Sequence, residues 1–427
     1  MTAESTPPKG IGPMAKREMK LAYVMLLPTF AIVLAIVMGP LLANFWISFK
    51  PVQLGDLRPA SLIANERLRG DAEKAGDAVT IEYRIRNSSR DDVITGAGFT
   101  DMIPDGLAPT ELDERCALTG QFLSCEIGDI EGGFRDRVRI EATVEPGYLE
   151  NALNPRDSRP QITGSADNVL TNFEFSLENF RRVFSSSEFW HVFRVSMYYT
   201  IFGTAGALVL GLFAAQLLNT TFAGRGILRG LFLFPYVAPV IAVAFTWVVL
   251  LDPFSGTLNS ILQQIGFIES PVNFFGERSV TINLFGLQFD FPVALSTVIA
   301  FEAWRYFPLS FLFILARMQS ISTEMYEAAE IDGATPLQQF WYLSLPQLAG
   351  ILAVLFLLRF IWTFNKFDDI FLLTGGAAGT RTLTVDVYEQ AFAVSNLGAG
   401  AAVAVVVFIV LLTFSLLFFT FSPKDEA

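Results

Sequence analysis

The chain is poor in the residues that most enzymes use for chemistry. It has one histidine and two cysteines in 427 residues. Two cysteines without clustered histidines do not make a zinc site. No GxxxxGK[ST] stretch occurs, so the chain cannot grip ATP by a P-loop. Charge is also scarce: Asp, Glu, Lys and Arg make up 17% of residues, low for a soluble protein. What charge there is lies unevenly. Residues 51–175 hold 23 acids against 13 bases, so ten of the twelve surplus negative charges sit there. An acidic segment of that kind argues against a nucleic-acid partner. The abundant commodity is apolar surface, 52% of residues with 41 phenylalanines. These features describe a polytopic membrane protein with room for one extramembrane domain.

A spanning helix needs about 20 apolar residues. Leu21 to Phe49 is the first such run, preceded by a polar stretch, 1–20, expected to be unstructured. Lys9, Lys16, Arg17 and Lys20 in that stretch form a basic flank that stays in the cytoplasm. The run is too long for a cleaved signal peptide and ends without a small-x-small site. Five more spans follow, roughly Val192–Leu218, Gly226–Leu251, Phe291–Met318, Leu348–Phe371 and Ala399–Phe421. Residues 252–290 and 372–398 read as external loops, the first with a few amphipathic turns. The short loop Asn219–Gly230 carries Arg225 and Arg229 and no acid, which places it in the cytoplasm. Counting from a cytoplasmic start puts residues 51–175 outside and 322–346 inside. His191, at the start of the second span, reads as an interfacial residue.

The acidic insert has the pattern of short strands. Residues 79–86, 98–103, 122–127 and 138–144 are the candidates, with a turn at Asn87–Asp92 and another at Pro104-Asp105-Gly106. Strands with turn signals between them predict a β-sandwich. Cys116 and Cys125 lie in it and are candidates for a disulfide if the insert faces an oxidising space. The fold expected is therefore an all-α polytopic membrane protein of six transmembrane helices. An extracytoplasmic β-sandwich interrupts it between helices 1 and 2. Its parts are a cytoplasmic tail (1–20), the first helix (21–49), the insert (51–175), a membrane core (186–421) and a second cytoplasmic tail (422–427).

The most informative stretch is Ser322–Pro346, between two apolar runs. Ser322 or Thr323 can cap a short helix, with Glu324 in its first turn. Gly333 can end it in the left-handed conformation. Thr335, Pro336 and Gln338 restart a helix as capping hydroxyl, first residue and third residue. Glu324, Glu327 and Glu330 make an acidic stripe, and Ala328 and Ala329 keep the helix thin. The spacing Glu327-Ala328-Ala329, Gly333, Leu343, Leu345-Pro346 resembles the EAA loop of ABC importer permeases, with Leu343 where that family has isoleucine. The resemblance implies an ATPase-coupling role for Glu327, Ala328, Ala329, Gly333, Leu345 and Pro346.

Ionisable residues at membrane depth are costly and read as functional. Arg359, Thr363 and Lys366 share one face of the fifth helix, which suits hydroxyl-rich or anionic cargo. The alternative is that Arg359 pairs with an acid of a neighbouring helix and Lys366 snorkels outward. Glu302, Trp304, Arg305 and Tyr306 cluster on the fourth helix; Trp304 and Tyr306 can stack on sugar rings or sit as interfacial aromatics. Asp368 and Asp369 near the outer end are expected to be solvated.

Further motifs resemble the carbohydrate-uptake branch of these permeases. They are Leu177-Glu178-Asn179-Phe180, Asn219 to Gly226 followed by Pro235, Pro239 and Trp247, and Leu373-Thr374-Gly375-Gly376. The insert's run from Asn87 through Asp101-Met102-Ile103-Pro104-Asp105-Gly106 to Cys125 and Gly133 resembles the immunoglobulin-like repeat of bacterial surface proteins. The membrane body resembles the larger permease of maltose-type systems, which also carries an external domain between early spans. That likeness implies a non-enzymatic transport subunit in the bacterial inner membrane, with both termini cytoplasmic. It implies import of a sugar or oligosaccharide with a second permease, two copies of a cytoplasmic ABC ATPase and an extracytoplasmic binding protein. ATP and Mg would be bound by the ATPase, with no cofactor in this chain. The other readings are a membrane-anchored ligand sensor built on the sandwich, and an ion-driven transporter.

Overall fold

The structure, a computed structural model, describes residues 13–90, 92–151, 159–284 and 287–421. Residues 1–12 of the expected first tail and all of the second, 422–427, lie outside these. The chain divides into two compact units, one drawn from Met1–Phe49 and Leu177–Ala427, the other from Lys50–Ser176.

The first unit begins with α1 (Pro13–Val33), a π-helical turn at Leu34–Met38, and α2 (Gly39–Ser48). Residues 13–20 are thus helical, contrary to expectation. They include Ala, Lys, Arg, Glu and Met, all good helix formers, and simply extend the apolar helix that follows. The π turn ends two residues before Pro40. A proline ring meets the carbonyl four residues back and offers no N–H. Widening the preceding turn relieves that conflict.

The second unit holds β1 (Leu62–Arg69), β2 (Ala78–Asn87), β3 (Ile94–Met102), β4 (Leu107–Glu111), β5 (Cys116–Thr119), β6 (Phe122–Ile130), β7 (Arg135–Val144), α3 (Pro146–Asn151) and β8 (Gln161–Ala166). They form two antiparallel four-stranded sheets, in the orders β1-β2-β7-β4 and β5-β6-β3-β8. One buried cluster takes side chains from both, with Ile81, Tyr83 and Ile140 from the first and Phe99 and Leu123 from the second. The Tyr83 and Phe99 rings lie 4.8 Å apart. Cys116 and Cys125 face each other across β5 and β6 and are joined by a disulfide, their Cα atoms 4.1 Å apart. The four strands recognised in the sequence are the inner strands β2, β3, β6 and β7. The four not recognised, β1, β4, β5 and β8, are the sheet edges. An edge strand is half solvated, and its pattern carries Pro109 in β4 and Gly164 in β8.

Ion pairs in this unit make it acid-sensitive. The buried Glu82 carboxylate accepts from Arg84 Nε at 2.9 Å and lies 3.0 Å from Arg69 Nη2. The Arg84 hydrogen bond holds it below the usual carboxylate range. Arg115 does the same for Asp113 and Asp136. A depressed folded-state pKa stabilises above the unfolded value of roughly 4 and is lost as pH falls through the lower folded value. The unfolding midpoint of the insert, followed by near-ultraviolet dichroism, should therefore be flat near neutrality and fall on acidification. Glu82→Gln should flatten part of that fall; an unchanged acid profile in this variant would show that Glu82 contributes nothing to it.

The first unit resumes with α4 (Glu178–Ser185) and α5 (Ser187–Asn219). Asn179 Nδ2 donates to the Ser48 carbonyl at 3.0 Å, tying the returning chain to the end of α2. Then come α6 (Arg225–Phe232), α7 (Phe234–Val237) and α8 (Val240–Leu250), with a 92° bend between Val237 and Val240. The expected third span is therefore not one straight helix. Ala238 precedes a proline and is forced to extended backbone, at φ −64° and ψ 144°.

The expected external loop 252–290 contains α9 (Thr257–Gln264) and a hairpin of β9 (Val280–Leu284) and β10 (Leu287–Phe291). Next are α10 (Val293–Gln319), α11 (Thr323–Ile331), α12 (Pro336–Gln339), a π turn at Phe340–Ser344 two residues before Pro346, and α13 (Leu345–Phe364). The fifth span thus ends at Phe364, not Phe371, and Asp368 opens a separate helix, α14 (Asp368–Leu373). The expected loop 372–398 holds α15 (Leu383–Tyr388) and a π turn before α16 (Leu397–Phe421). Among the described residues, five continuous helical stretches are long and apolar enough to cross a membrane, and the bent pair is a further candidate.

Small residues let α5 and α10 approach closely, the usual device between membrane helices. A Cβ on Gly211 would lie 2.8 Å from the Phe311 nitrogen and 2.7 Å from Ser310 Cβ. Gly226 on α6 has nothing within 4 Å. Gly211→Leu should therefore cost about 3 kcal/mol or more and lower the unfolding midpoint in detergent. Gly226→Leu should leave it unchanged. Equal midpoints for the two variants would refute close packing of α5 on α10.

Candidate functional site

Two features concentrate chemistry in the first unit. One is exposed, the other buried.

The exposed feature is the helix–turn–helix from Ser322 to Pro346. Ser322 Oγ accepts the Glu324 N–H at 3.3 Å. Gly333 sits at φ +79°, and the chain turns there as Ala334 N donates to Ala329 O at 2.9 Å. Thr335 and Gln338 form a reciprocal capping box, with Pro336 at the first helical position. Tyr326 Oη and Ser344 Oγ, 2.9 Å apart, tie the two halves together. Glu324, Glu327 and Glu330 are all exposed and, among the described residues, make no ion pair. Ala328, Gly333 and Pro346 are exposed too, while Ala329 and Leu345 are half-buried. Beside the acids stand exposed apolar side chains: Ile331 at 87%, Leu337 at 68% and Tyr342 at 82%. Acidic and apolar surface side by side, on a rigidly capped turn, suits a protein partner with a basic rim and an apolar pocket.

The buried feature is centred on Glu302 of α10. Its Oε1 accepts from Arg359 Nη2 at 2.5 Å and from Thr363 Oγ1 at 2.9 Å, both on α13. Its Oε2 accepts from Tyr199 Oη of α5 at 2.9 Å. One carboxylate thus joins three long helices. Arg359 and Thr363 are 2% and 1% exposed, so the face expected to meet cargo is turned onto Glu302. Next to them is Tyr306, itself buried. The Arg359 guanidinium lies 4.4 Å from its ring centroid and Lys366 Nζ 4.1 Å. Lys366 also hydrogen-bonds the Tyr306 hydroxyl and lies 3.6 Å from Asp369 Oδ2. Trp304 points elsewhere, half-buried against Trp247 at 5.4 Å.

One expectation for this cluster fails. Asp369, expected to be solvated, is fully buried. Asp368 is half exposed, as a solvated acid should be. The reason is the helix break at Asn365–Phe367, which turns Asp369 inward toward Lys366 and Arg305. Arg305 has a role that neighbouring letters did not reveal. Pro239 has no N–H, so the Pro235 carbonyl four residues back has no helical donor. Arg305 Nη1 donates to that carbonyl at 3.3 Å, and Nη2 donates to the Ala238 carbonyl at 3.2 Å. The guanidinium therefore satisfies the two oxygens exposed at the break between α7 and α8, as non-helical backbone at membrane depth requires. His191 lies 3.1 Å from Arg278 Nη2, away from these groups.

Known proteins resemble this chain over its membrane unit. Residues 207–424 match the family described as binding-protein-dependent transport system inner membrane component. The chain is 33% identical over 277 residues to the inner membrane ABC transporter permease protein YcjO of Escherichia coli, covering 65% of this chain and 85% of that protein. It is 33% identical over 244 residues to the trehalose/maltose transport system permease protein MalF of Thermococcus litoralis, covering 57% and 77%. Among solved structures, a bacterial alginate ABC transporter in complex with an alginate pentasaccharide-bound periplasmic protein is similar in fold. It has a TM-score of 0.50 and 20% identity, covering 57% of this chain and 81% of that one.

Proposed function

Because the chain belongs to the family of binding-protein-dependent transport system inner membrane components, we propose that it is the permease subunit of an ATP-driven importer of a sugar or oligosaccharide. The observation that carries this is the capped turn Ser322–Pro346, whose acids and apolar side chains Ile331, Leu337 and Tyr342 are exposed. Glu327, Ala328, Ala329, Gly333, Leu345 and Pro346 couple it to the motor. The bent helix pair completes a sixth span, and residues 51–175 form an extracytoplasmic sandwich between the first and second. Both termini face the cytoplasm. ATP and Mg bind to two copies of a separate ATPase, a second permease completes the membrane pore, and a soluble binding protein delivers cargo.

The path runs beside the break between α7 and α8. Discontinuous helices at membrane depth are where transporters place their cargo sites. Arg359 and Thr363 position Glu302. Lys366, partly exposed, contacts cargo, with Tyr306 stacked behind it, while Trp304 packs on Trp247 beside the path. ATP closes the motor, the docked turns rotate the two permeases, and the site changes sides.

Purification of a tagged full-length chain tests this. A nucleotide-binding partner should co-purify, and uptake into proteoliposomes should need ATP on the side of residues 322–346. Uptake driven by a sodium or proton gradient without any ATPase would instead identify an ion-driven transporter. Ligand binding without uptake would identify a sensor.

A further inference from the structure

The insert is acidic as a whole, yet one face of its first sheet is basic. Strand alternation brings Arg84 and Arg86 of β2 to the same outer face as Arg135, Arg137 and Arg139 of β7. The register sets Arg84 directly opposite Arg137 and Arg86 directly opposite Arg135. Like charges placed opposite each other destabilise a sheet. Glu82 relieves only one end, pairing with Arg69 at 3.0 Å, Arg84 at 2.9 Å and Arg139 at 3.7 Å. Arg86, Arg135 and Arg137 make no ion pair among the described residues. These residues are not guarding an edge, because β2 and β7 are the inner strands of the sheet. Folding alone does not call for such an arrangement.

The face is also hollow. Arg84, Arg86, Arg135, Arg137 and Arg139 line a cavity of about 900 Å³, together with Asp113 and Asp136, whose charges Arg115 pairs at 2.9 and 2.6 Å. It shares Asn65 and Arg84 with a second of about 550 Å³, which Arg67, Arg159 and one carboxylate, Glu66, also line. The two adjoin at Asn65 and Arg84. Every cation lining them is arginine, whose planar fork grips a carboxylate or phosphate through two parallel hydrogen bonds.

The geometry points to a binding site for a linear acidic oligosaccharide, its ring carboxylates held by Arg86, Arg135 and Arg137. The lining selects among polyanions. It contains no aromatic ring, so it offers nothing for nucleobases to stack on and nothing for the face of a neutral sugar. Its apolar members are only Ala64, Ile85 and Pro160, too few for the apolar anchor of a protein interface. The backbone of β2 and β7 is already paired on both sides, so an acidic peptide cannot add as a strand. A polymer that is polar throughout and charged at regular intervals fits what remains. The site stands on the insert's own residues and does not depend on the import reading above.

The test uses the full-length chain in phosphatidylcholine nanodiscs, titrated calorimetrically with a galacturonate hexamer, with maltohexaose and with hexaglutamate. The galacturonate hexamer should bind, more weakly as salt is raised, and maltohexaose should not. Arg86→Gln/Arg135→Gln/Arg137→Gln should weaken binding by about 30-fold. Lysine at the same three positions keeps the charge and guards against misfolding; it should weaken binding by about fivefold, because an ammonium lacks the fork. Unchanged affinity in both variants would overturn the assignment. So would binding of maltohexaose equal to that of the uronate, or tighter binding of hexaglutamate.

Discussion

Glu302→Ala will leave the Arg359 guanidinium buried between helices with no counter-charge, and the chain will lose about 3–5 kcal/mol of stability. The magnitude follows from the geometry. Arg359 is 2% exposed and its Nη2 shares Glu302 Oε1 with Thr363. Tyr199 would lose its acceptor at the same time. In detergent, the variant should unfold at a much lower temperature and elute largely as aggregate. Glu302→Leu combined with Arg359→Met removes both charges at similar volume and should recover most of the loss. The double variant then separates architecture from transport. If it folds and still imports, the pair only holds α5, α10 and α13 together. If it folds and fails to import, the pair takes part in the transport cycle. A single Glu302→Ala variant as stable as the parent would show that Arg359 is not held by this carboxylate.

The second large effect should come with only a small loss of stability. Glu327→Arg with Gly333→Val should reduce ATP-driven uptake by about 100-fold or more while membrane levels stay at the parental value. Glu327 is exposed and, among the described residues, makes no ion pair. Gly333 has no atom within 4 Å of an added Cβ, so substitution there is opposed by backbone conformation alone. At φ +79° a β-branched residue costs roughly 1–2 kcal/mol, enough to shift the turn and misalign the two short helices. Gly333→Asn should retain much of the activity, because asparagine tolerates the left-handed region. Uptake and co-purification of the ATPase, measured on the same preparations, decide the matter. Undiminished uptake in the double variant would remove the Ser322–Pro346 turn from the mechanism.

The contrast between these two sites mirrors how far each was readable in the letters. The turn is local. Ser322, Gly333, Thr335, Pro336 and Gln338 act on backbone within four residues of themselves, and each takes the capping or turning position that its chemistry favours. The inner strands of the insert were legible for a related reason, since one buried face and one solvated face enforce alternation along them. The edges β1, β4, β5 and β8 lacked that constraint and escaped notice.

Sequence alone thus determined what short-range physics controls: apolar lengths sufficient to cross a membrane, the caps and turn of residues 322–346, and the separate acidic insert. Tertiary structure decided which distant charges meet. Nothing near Arg359 in the chain announces Glu302, 57 residues away, and nothing near Arg305 announces the carbonyl of Pro235, 70 residues away. Both contacts exist because a buried charge or an orphaned carbonyl in a dry interior must find a partner, and only the packed helices bring one within reach. The opposed arginines on β2 and β7 are of the same kind: each strand is unremarkable alone, and only their register makes a basic face.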